Sequence, residues 1–336
     1  MPDALALHGS PSLLQVLELF PRRKVVVVGD FVADHYIYGE TDRVSREAPV
    51  LVVRYESSEL KLGGAANAAA NVRSLGGQVM AVGILGQDNP GQALRNQFRS
   101  LGIRLFAVSS PEVETQTKTR ILAGGLNTTR QQMLRLDRGA RGAQPPQRQR
   151  QVAKQLAQAA KHANAVVVSD YGAGTIGEEA RTVLRKLARD GLPVCVDSRY
   201  ALEKFTGLTL CKPNEPELQV LTQIGISSER DLIKAGRAGV RLLRCQALLV
   251  TRGRNGMALF DSAGKVELIP VHGAKEAVDV TGAGDTVIAA LALALGAGAG
   301  INDAAALANI AGALVVQKQG TATVARSELL QELGVE

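Results

Sequence analysis

Short apolar runs recur along the chain, and helical patterns lie between most of them. The first run, Lys24–Val28, ends in Gly29-Asp30 and is typical of a parallel strand buried on both faces. Similar runs predict strands at Gln78–Leu85, Ala165–Ser169, Val194–Asp197, Leu208–Cys211 and Gln246–Thr251. Helical patterns occupy Gly64–Leu75, Pro90–Leu101, Pro146–His162, Glu178–Asp190, Glu215–Gln223, Glu229–Leu243, Gly282–Leu295, Asp303–Lys318 and Ser327–Leu333. This alternation predicts an α/β fold with a doubly wound, mostly parallel sheet and helices on both faces.

Three segments instead alternate polar and apolar residues, as half-exposed antiparallel strands do: Val50–Tyr55, Lys118–Ala123 and Arg130–Asp137. We interpret them as a small β lid, formed by segments at about 36–56 and 116–138, that interrupts one large domain covering residues 1–336. The length alone suggests about two domains, but a large α/β domain with a small appendage fits as well. The lid's apolar face and open edges predict that two lids associate in a homodimer.

Composition excludes several classes of protein. An aromatic content of 3% with 35 glycines disfavours an all-β sandwich. Three cysteines without C-x-x-C spacing fit neither a zinc ribbon nor a disulfide framework, which favours a cytoplasmic location. The N-terminus lacks the basic region of a signal peptide, and the longest uncharged run, Thr286–Asn302, is too short to span a membrane. We therefore expect no membrane partner.

The net charge of +7 favours anionic partners. Seven basic residues and one acid lie between Arg130 and Lys154, where no aromatic residue is available to stack on bases. We expect no nucleic-acid partner, and read this segment first as a solvated basic loop.

The sharpest motif is Asp279-Val280-Thr281-Gly282-Ala283-Gly284-Asp285, directly before an apolar helix. Small residues at a helix N-terminus let backbone N–H groups approach an anion, which the helix dipole also favours. Asp285 in the first helical turn could accept a proton from an attacking hydroxyl while those groups hold a phosphoryl group. The alternative is that Asp285 only caps the helix and the glycines serve packing.

A second glycine motif, Gly63-Gly64-Ala65-Ala66-Asn67, also opens a helix. The paired glycines let a ligand touch backbone, and the Asn67 amide can bond to neighbouring hydroxyls of a polyol. Asp30 and Asp34 follow the first strand, where open α/β sheets bind ligands, and their carboxylates can accept bonds from sugar hydroxyls. Each carboxylate could equally satisfy its own loop in an Asx turn.

A third glycine loop, Gly172-Ala173-Gly174-Thr175-Ile176-Gly177, matches the dinucleotide fingerprint G-x-G-x-x-G, with Asp197 about twenty residues beyond. Asp170 and Tyr171 lengthen the turn, however, and a carboxylate beside a pyrophosphate would repel it. A nicotinamide-dependent dehydrogenase therefore remains only a minor alternative.

The two glycine motifs at Gly63–Gly77 and Asp279–Asp285 together resemble the two signature regions of the ribokinase-like, or PfkB, carbohydrate kinases. Within that family the chain is most similar to the kinases of D-glycero-β-D-manno-heptose 7-phosphate. The residues that carry this closer similarity are Gly29-Asp30, Asp34, Tyr38-Gly39, Arg43–Val50, Gln131–Asp137, Ser169–Gly172 and Asp279–Ile288. The resemblance extends from about Lys24 to Leu330 and implies a ribokinase-like fold whose lid covers the active site.

The resemblance implies an ATP-dependent transfer of phosphate to the anomeric hydroxyl, giving the 1,7-bisphosphate on the route to ADP-heptose for lipopolysaccharide core. Asp285 would be the catalytic base, with Gly282, Ala283 and Gly284 as the anion hole. Asn214 and Glu217 match an N-x-x-E motif whose acid holds Mg²⁺ through water. The resemblance further places Thr251, Gly253, Gly256 and Asn309 at the nucleotide, and Asp279 and Thr281 at a possible monovalent cation such as K⁺.

The same resemblance implies the sugar site. Its substrate-binding residues would be Asp30, Asp34, Gly63, Gly64, Asn67 and Asp170, with Lys118, Arg120 and Arg135 on the lid as candidates for the 7-phosphate. One departure stands at Asp197-Ser198-Arg199, where the heptose kinases continue Asp-Pro-Lys.

Many relatives also carry a C-terminal nucleotidyltransferase domain. The chain ends at Glu336, so we expect that activity to come from a separate protein acting later. The alternatives that remain open are another PfkB sugar kinase, such as a fructose, ribose or sugar-phosphate kinase, and a non-catalytic regulator that binds sugar phosphates.

Overall fold

The computed structural model describes residues 12–125, 130–139, 142, 144–273 and 276–334. The strands in these ranges are β1 (Lys24–Gly29), β2 (Phe31–Val44), β3 (Leu51–Gly64), β4 (Gln78–Gly86), β5 (Arg104–Ser110), β6 (Gln116–Gly124), β7 (Gln131–Arg138), β8 (Ala165–Asp170), β9 (Val194–Ser198), β10 (Leu210–Cys211), β11 (Ala247–Thr251), β12 (Met257–Asp261) and β13 (Val266–Ile269).

The α-helices in the same ranges are α1 (Leu13–Leu19), α2 (Ala65–Ser74), α3 (Asn89–Ser100), α4 (Pro146–Ala159), α5 (Glu178–Arg189), α6 (Glu215–Thr222), α7 (Glu229–Leu243), α8 (Ala283–Gly296), α9 (Ile301–Val315) and α10 (Arg326–Glu332). Side-chain caps fix several of their starts. Asp88 accepts a bond from the Gly91 N–H before α3, and Ser228 accepts one from the Asp231 N–H before α7.

The strands assigned to the larger sheet are nine, in the order β13-β12-β11-β10-β9-β8-β1-β4-β5. Every neighbouring pair from β5 to β11 is parallel, and the hairpin of β12 and β13 adds an antiparallel edge. The strand order reverses at β1, since the chain moves outwards on one side through β4 and on the other through β8. Ligands of open α/β sheets bind outside the carboxyl ends of the strands at such a point.

Helices cover both faces of this sheet. Val25 and Val27 of β1 belong to one buried cluster with residues of α2, α8 and α9, whereas Val26 and Val28 belong to a second with residues of α4, α5 and α7. The first eleven residues of α8 after Gly284 are all buried, as expected of an apolar helix packed within the core. The predicted fold class, a doubly wound sheet with helices on both faces and a small β lid, is confirmed.

The lid is a four-stranded sheet in the order β3-β2-β6-β7. Its outer pairs are antiparallel, but β2 and β6 run parallel, which differs from the antiparallel sheet expected. Asp34, Tyr36, Lys118 and Arg120 alternate along β2 and β6 and share one face. Lys118 contacts the core from that face, since its Nζ lies 4.8 Å from the centre of the Tyr171 ring.

The lid is longer than predicted. β2 begins at Phe31, directly after β1, rather than near residue 36, so Asp34 lies in a lid strand and not in a loop. The sequence analysis also missed β5 and the hairpin of β12 and β13, while the predicted strand Leu208–Cys211 shortens to two residues. Residues 126–129 of the predicted lid and the N-terminal segment up to residue 11 lie outside the described residues. No helix in the described part of the chain is long and apolar enough to cross a membrane.

Candidate active site

Asp285 lies in the first turn of α8, at the carboxyl ends of the central strands. The helix begins after Gly282, whose φ of +79° favours glycine and where a Cβ would lie 2.7 Å from Asn67 Nδ2. The Asp285 side chain is buried, with 3% of the residue exposed. Asn67 Nδ2 donates to its Oδ2 at 2.9 Å, and the Tyr171 hydroxyl donates to its Oδ1 at 3.2 Å. Both carboxylate oxygens therefore have a donor in place.

A short chain of side-chain hydrogen bonds fixes Asn67. Asn71 Nδ2 donates to Asn67 Oδ1 at 3.2 Å, and the Thr286 hydroxyl donates to Asn71 Oδ1 at 2.7 Å. These bonds join the two glycine motifs, which are more than 200 residues apart in sequence. The sequence analysis assigned Asn67 to the sugar, but its amide oxygen and one amide hydrogen are committed to positioning Asp285.

The electrostatics of the site suit a base that works near neutral pH. Burial raises the pKa of Asp285 to about 7, and the nearby Asp197 carboxylate adds to the increase. The donors Asn67 and Tyr171 and the charge of Lys212 act in the opposite direction. Burial also raises the pKa of Tyr171 well above its usual value, so its hydroxyl stays protonated and donates.

The N-terminus of α8 offers backbone donors beside this carboxylate. The Ala283 N–H donates to Val280 O at 3.2 Å and the Asp285 N–H to Gly282 O at 3.0 Å. The Gly284 N–H has no acceptor among the described residues. The Gly284 N–H is thus left for an outside acceptor at the positive end of the dipole of a long buried helix, where an anion would be stabilised.

Lys212 brings a positive charge to the anion hole. It is 4% exposed, and its Nζ lies 2.8 Å from Asp197 Oδ2. A Cβ at Gly284 would lie 3.3 Å from that Nζ and 3.4 Å from the Asp197 carboxylate, so glycine leaves room for the pair. Burial acts to lower the pKa of Lys212, but Asp197, Glu217 and Asp285 together outweigh it and raise the pKa, so the ammonium stays charged.

Asp30 supports a loop. Its carboxylate accepts bonds from the backbone N–H groups of Tyr171 at 2.7 Å, Ala173 at 3.0 Å and Thr175 at 3.3 Å. Asp170 behaves similarly, accepting from the Gly172 N–H at 3.1 Å and the Ser198 hydroxyl at 2.6 Å. Both carboxylates line cavities, but their oxygens are engaged in holding Tyr171 under the lid.

The same hydrogen bonds occupy the backbone donors of the dinucleotide-like loop. The N–H groups of Tyr171, Ala173 and Thr175 donate to Asp30, and the Gly172 N–H donates to Asp170. A pyrophosphate needs these donors free. The loop therefore cannot bind a dinucleotide in this conformation, which argues against the dehydrogenase alternative.

Asp34 on β2 lies next to the second glycine motif, which stands at the end of the neighbouring lid strand β3. Arg120 Nη1 donates to Asp34 Oδ1 at 2.6 Å, and both residues are largely buried. A Cβ at Gly63 would lie 2.3 Å from Asp34 Oδ2, and one at Gly64, where φ is +56°, would lie 2.6 Å from the Asp30 carbonyl oxygen. The glycines thus admit the Asp34–Arg120 pair and the turn into α2.

A basic cavity of about 460 Å³ lies between the lid and the core. It contains two of the three basic residues predicted for a phosphate, Lys118 and Arg135. Arg120 is not among its lining residues because its guanidinium is paired with Asp34. Two further arginines, Arg138 and Arg199, line the cavity instead.

A neighbouring cavity of about 450 Å³ opens onto Gly284 and is also lined by Asn214, Glu217 and Thr251. Asn214 and Glu217 form a capping box at the start of α6: Asn214 Oδ1 accepts from the Glu217 N–H at 2.8 Å, and Glu217 Oε2 accepts from the Asn214 N–H at 2.9 Å. One Glu217 oxygen remains for other partners, and burial raises the pKa of this carboxyl.

The donor set of this cavity fits Mg²⁺ held through water. No three His, Cys, Asp or Glu side chains gather as a metal cage within the described ranges. Magnesium, however, usually keeps several waters and binds through one or two carboxylates together with substrate phosphates. Glu217 and Asp197, which line the same cavity, could supply these carboxylates.

Gly256 and Asn309 lie together against the segment after β13. A Cβ at Gly256 would lie 2.1 Å from Ile269 O, and Asn309 Nδ2 donates to Pro270 O at 2.8 Å. Gly253, by contrast, has no atom within 4 Å of where its Cβ would stand. All three thus lie near the end of β11 or the segment after β13, and none of them is among the lining residues of the Thr251 cavity.

Asp279 ties two loops together beside the anion hole. Its carboxylate accepts bonds from the Thr281 N–H at 2.8 Å and the Gly320 N–H at 2.9 Å. Burial acts to raise the pKa of Asp279, but these bonds outweigh it and lower the pKa, so the carboxylate stays charged. A persistent negative charge is compatible with a monovalent cation.

Four residues that the sequence analysis did not assign belong to this site: Tyr171, Asp197, Arg199 and Lys212. The available indication was their position, since Asp197 lies at the carboxyl end of a short apolar strand and the other three directly follow such strands. Lys212 is the clearest case, a lone cation after Cys211 that ends buried. Their mutual contacts, however, depend on the order of strands in the sheet.

Comparison with known proteins agrees with this geometry. The signature of the pfkB family carbohydrate kinases matches residues 22–328. "Bifunctional protein HldE" of Hahella chejuensis is 42% identical over 318 residues, and that of Vibrio cholerae serotype O1 is 38% identical over 318 residues. These matches cover 93% and 94% of the chain, which spans 64% of the length of either relative.

Solved structures share the fold. Arabidopsis thaliana ribokinase, complexed with ribose and ATP, has a TM-score of 0.72 at 23% identity and covers 94% of this chain and 99% of its own. Phosphofructokinase-2 from Escherichia coli, in complex with potassium, has a TM-score of 0.75 at 18% identity, with coverage of 92% and 97%. With the family signature spanning nearly the whole chain, the protein belongs to the pfkB family of carbohydrate kinases.

Proposed function

We propose that the protein transfers the γ-phosphoryl group of ATP to the anomeric hydroxyl of D-glycero-β-D-manno-heptose 7-phosphate. The observation that carries the proposal is the placement of Asp285, a buried carboxylate with a pKa of about 7, in the first turn of α8 and in contact with Tyr171, which lines the basic cavity. The similarity to proteins named HldE supports the heptose in preference to other sugars.

In the proposed reaction the anomeric oxygen attacks the γ-phosphorus, its proton passes to Asp285, and the bond to the β-phosphate oxygen breaks to release ADP. Gly282, Ala283 and Gly284 form the proposed anion hole, in which the Gly284 N–H and the positive end of the α8 dipole stabilise the charge on the transferring group, and Lys212 adds a cation beside them. Mg²⁺, held through water by Glu217, would neutralise nucleotide phosphate charge. Asn67 and Tyr171 keep the carboxylate oriented towards the acceptor.

The remaining assignments follow from this reaction. Thr251, Gly253, Gly256 and Asn309 border the proposed nucleotide site, and Asp34 with the Gly63-Gly64 turn borders the sugar. Asp279 and Thr281 are proposed to bind a monovalent cation such as K⁺. The three cysteines of the chain are free and buried, which is compatible with action in the cytoplasm. The 1,7-bisphosphate would then pass to a nucleotidyltransferase, an activity that we propose lies outside residues 1–336.

The direct test is ADP release over a panel of acceptors, with the product identified by ³¹P NMR. The proposal expects heptose 7-phosphate to be used best and a new phosphate to appear on C1. Preference for fructose, ribose or another sugar phosphate would make the protein a different kinase of the same family. Tight binding of sugar phosphate without ADP release would indicate the non-catalytic regulator.

A further inference from the structure

The cations around the basic cavity differ in whether a carboxylate already neutralises them. Arg135 is clamped by Asp137, with its Nε 2.7 Å and its Nη2 2.6 Å from the two carboxylate oxygens. Arg120 is paired with Asp34 outside the cavity. Lys118, Arg138 and Arg199, in contrast, make no ion pair within the described ranges. These three charges remain available to an anion.

Arg199 belongs to the core, whereas Lys118 and Arg138 belong to the lid. The Arg199 N–H donates to Asp170 O at 3.0 Å, and the preceding Ser198 hydroxyl donates to the Asp170 carboxylate at 2.6 Å. The Arg199 backbone is thereby fixed at the carboxyl end of β9. Its guanidinium lies 5.8 Å from the centre of the exposed Tyr200 ring and lines both the basic cavity and the cavity of Glu217.

The charge of Arg199 acts across the gap to the lid. Burial lowers the pKa of Lys118, and the charges of Arg135, Arg120 and Arg199 lower it further, against the opposing effect of the Asp34 carboxylate. Without an anion, therefore, cations on the lid and on the core repel one another across the basic cavity. A phosphate dianion between them would convert this repulsion into attraction, because bonds from Lys or Arg to phosphate are charge-assisted.

We propose that Arg199 and Lys118 hold the acceptor's own phosphate from opposite sides, so that this phosphate fastens the lid to the core above Asp285. The inference rests on the proposed function in one respect, that the acceptor is a phosphorylated sugar. Arg199 then selects for a phosphate that takes no part in the bond changes. Binding energy from such a remote group can raise kcat as well as lower KM, because it closes the site around the reacting atoms.

The test separates the phosphate from the sugar. The unphosphorylated heptose is assayed with and without phosphite dianion, which occupies a phosphate site without supplying a sugar. The proteins compared are the parent, Arg199→Gln, Arg199→Lys and the control Arg189→Gln, whose side chain is exposed on α5 and lines none of the cavities described here. We expect phosphite to accelerate the parent and the control by about tenfold or more, Arg199→Lys less, and Arg199→Gln not at all.

The steady-state constants give a second result. Arg199→Gln is expected to raise KM for heptose 7-phosphate by about tenfold or more while changing KM for ATP much less. An equal or larger effect on ATP, or phosphite activation that survives in Arg199→Gln, would overturn the inference.

Failure of the heptose assignment can be told apart from failure of this inference. If another sugar phosphate proves to be the substrate, its unphosphorylated form replaces the heptose in the same assay. If no acceptor turns over, calorimetry with phosphite alone still decides, because the parent should bind it and Arg199→Gln should bind it at least about tenfold more weakly. Equal binding by the two proteins would contradict the proposal.

Discussion

Asp285 combines two demands that oppose each other in a buried carboxyl group. It must lose its proton to act as a base, yet burial favours the protonated form and raises its pKa to about 7. Asn67 and Tyr171 moderate the increase by donating to the two carboxylate oxygens. The residue therefore stays a usable base at neutral pH and still binds a proton strongly enough to take it from a hydroxyl.

This balance predicts the pH dependence of the reaction. Because the deprotonated carboxylate is the active form, kcat/KM should fall as pH drops below about 7. Asn67→Ala removes a donor that lowers the pKa of Asp285, so the pH at which kcat/KM is half of its maximum should move to a higher value. The control Asn96→Ala, at an exposed position on α3, should leave the midpoint in place. If Asn67→Ala leaves this pH midpoint unchanged, Asn67 does not control the pKa of Asp285 as proposed.

The same pKa predicts a pH-dependent stability difference. The folded-state pKa of Asp285 lies above the unfolded value of 3.8, so the folded state binds the extra proton and its contribution to stability is lost as pH rises towards 7. Asp285→Asn does not titrate. Between pH 5 and pH 8, the free energy of unfolding of the variant, measured with denaturant, should rise relative to that of the parent by on the order of 2 kcal/mol. A difference in unfolding free energy that stays constant over this range would show that the pKa of Asp285 is not raised.

At the scale of elements, the lid brings charged residues from distant segments to one face. Lys118 and Arg135 both line the basic cavity, but Asp137 already accepts two bonds from Arg135. Lys118→Gln should therefore raise KM for heptose 7-phosphate more than Arg135→Gln does, by about tenfold, with little change in KM for ATP. The difference should shrink at high salt if solvent reaches the cavity. Equal effects of the two variants would mean that Asp137 releases Arg135 when substrate binds.

Local motifs made part of this site predictable from sequence. Asp285 and its three preceding small residues are contiguous, and Gly63, Gly64 and Asn67 lie within one five-residue motif. Their positions at helix starts therefore follow from the motifs themselves. The partners of these residues were not predictable in the same way. Asn67 reaches Asp285 across 218 positions, and Arg120 reaches Asp34 through a parallel pairing of β2 with β6 that no local pattern fixes.

The missed elements have related causes. β10 ends at Cys211 as predicted but begins only at Leu210, because its pairing with β9 and β11 covers Leu210 and Cys211 and not Leu208 or Thr209. The hairpin of β12 and β13 lies at the edge of the sheet, where strands are short and the helix–strand alternation no longer applies. Alternation predicts the middle of a doubly wound sheet better than its edges.

At the scale of the whole molecule, the lid exposes apolar surface that a single chain leaves in water. All residues of the edge strand β7 are exposed, among them Leu134 at 58% and Leu136 at 48%. These side chains lie on the face opposite Arg135. We expect two lids to cover one another in a homodimer.

Light scattering at micromolar concentration should give the mass of a dimer for the parent chain. The double variant Leu134→Asp, Leu136→Asp should be a monomer, because two charges would stand in the lid contact. Leu242→Asp, at an exposed position on α7 away from the lid, should remain a dimer. A monomeric parent chain would contradict the expectation.

The central claim is that Asp285 is the base of phosphoryl transfer, and Asp285→Asn tests it most directly. The substitution preserves size and most hydrogen bonding while removing proton acceptance, and a positioned base contributes about 10²–10⁴ in rate. The measurement is kcat with heptose 7-phosphate, beside the Kd of ADP from calorimetry on the same sample. We predict that turnover falls by that factor while ADP binding stays within about threefold of the parent value. Near-normal turnover with intact ADP binding would show that Asp285 only caps α8, and the account of the site would be wrong.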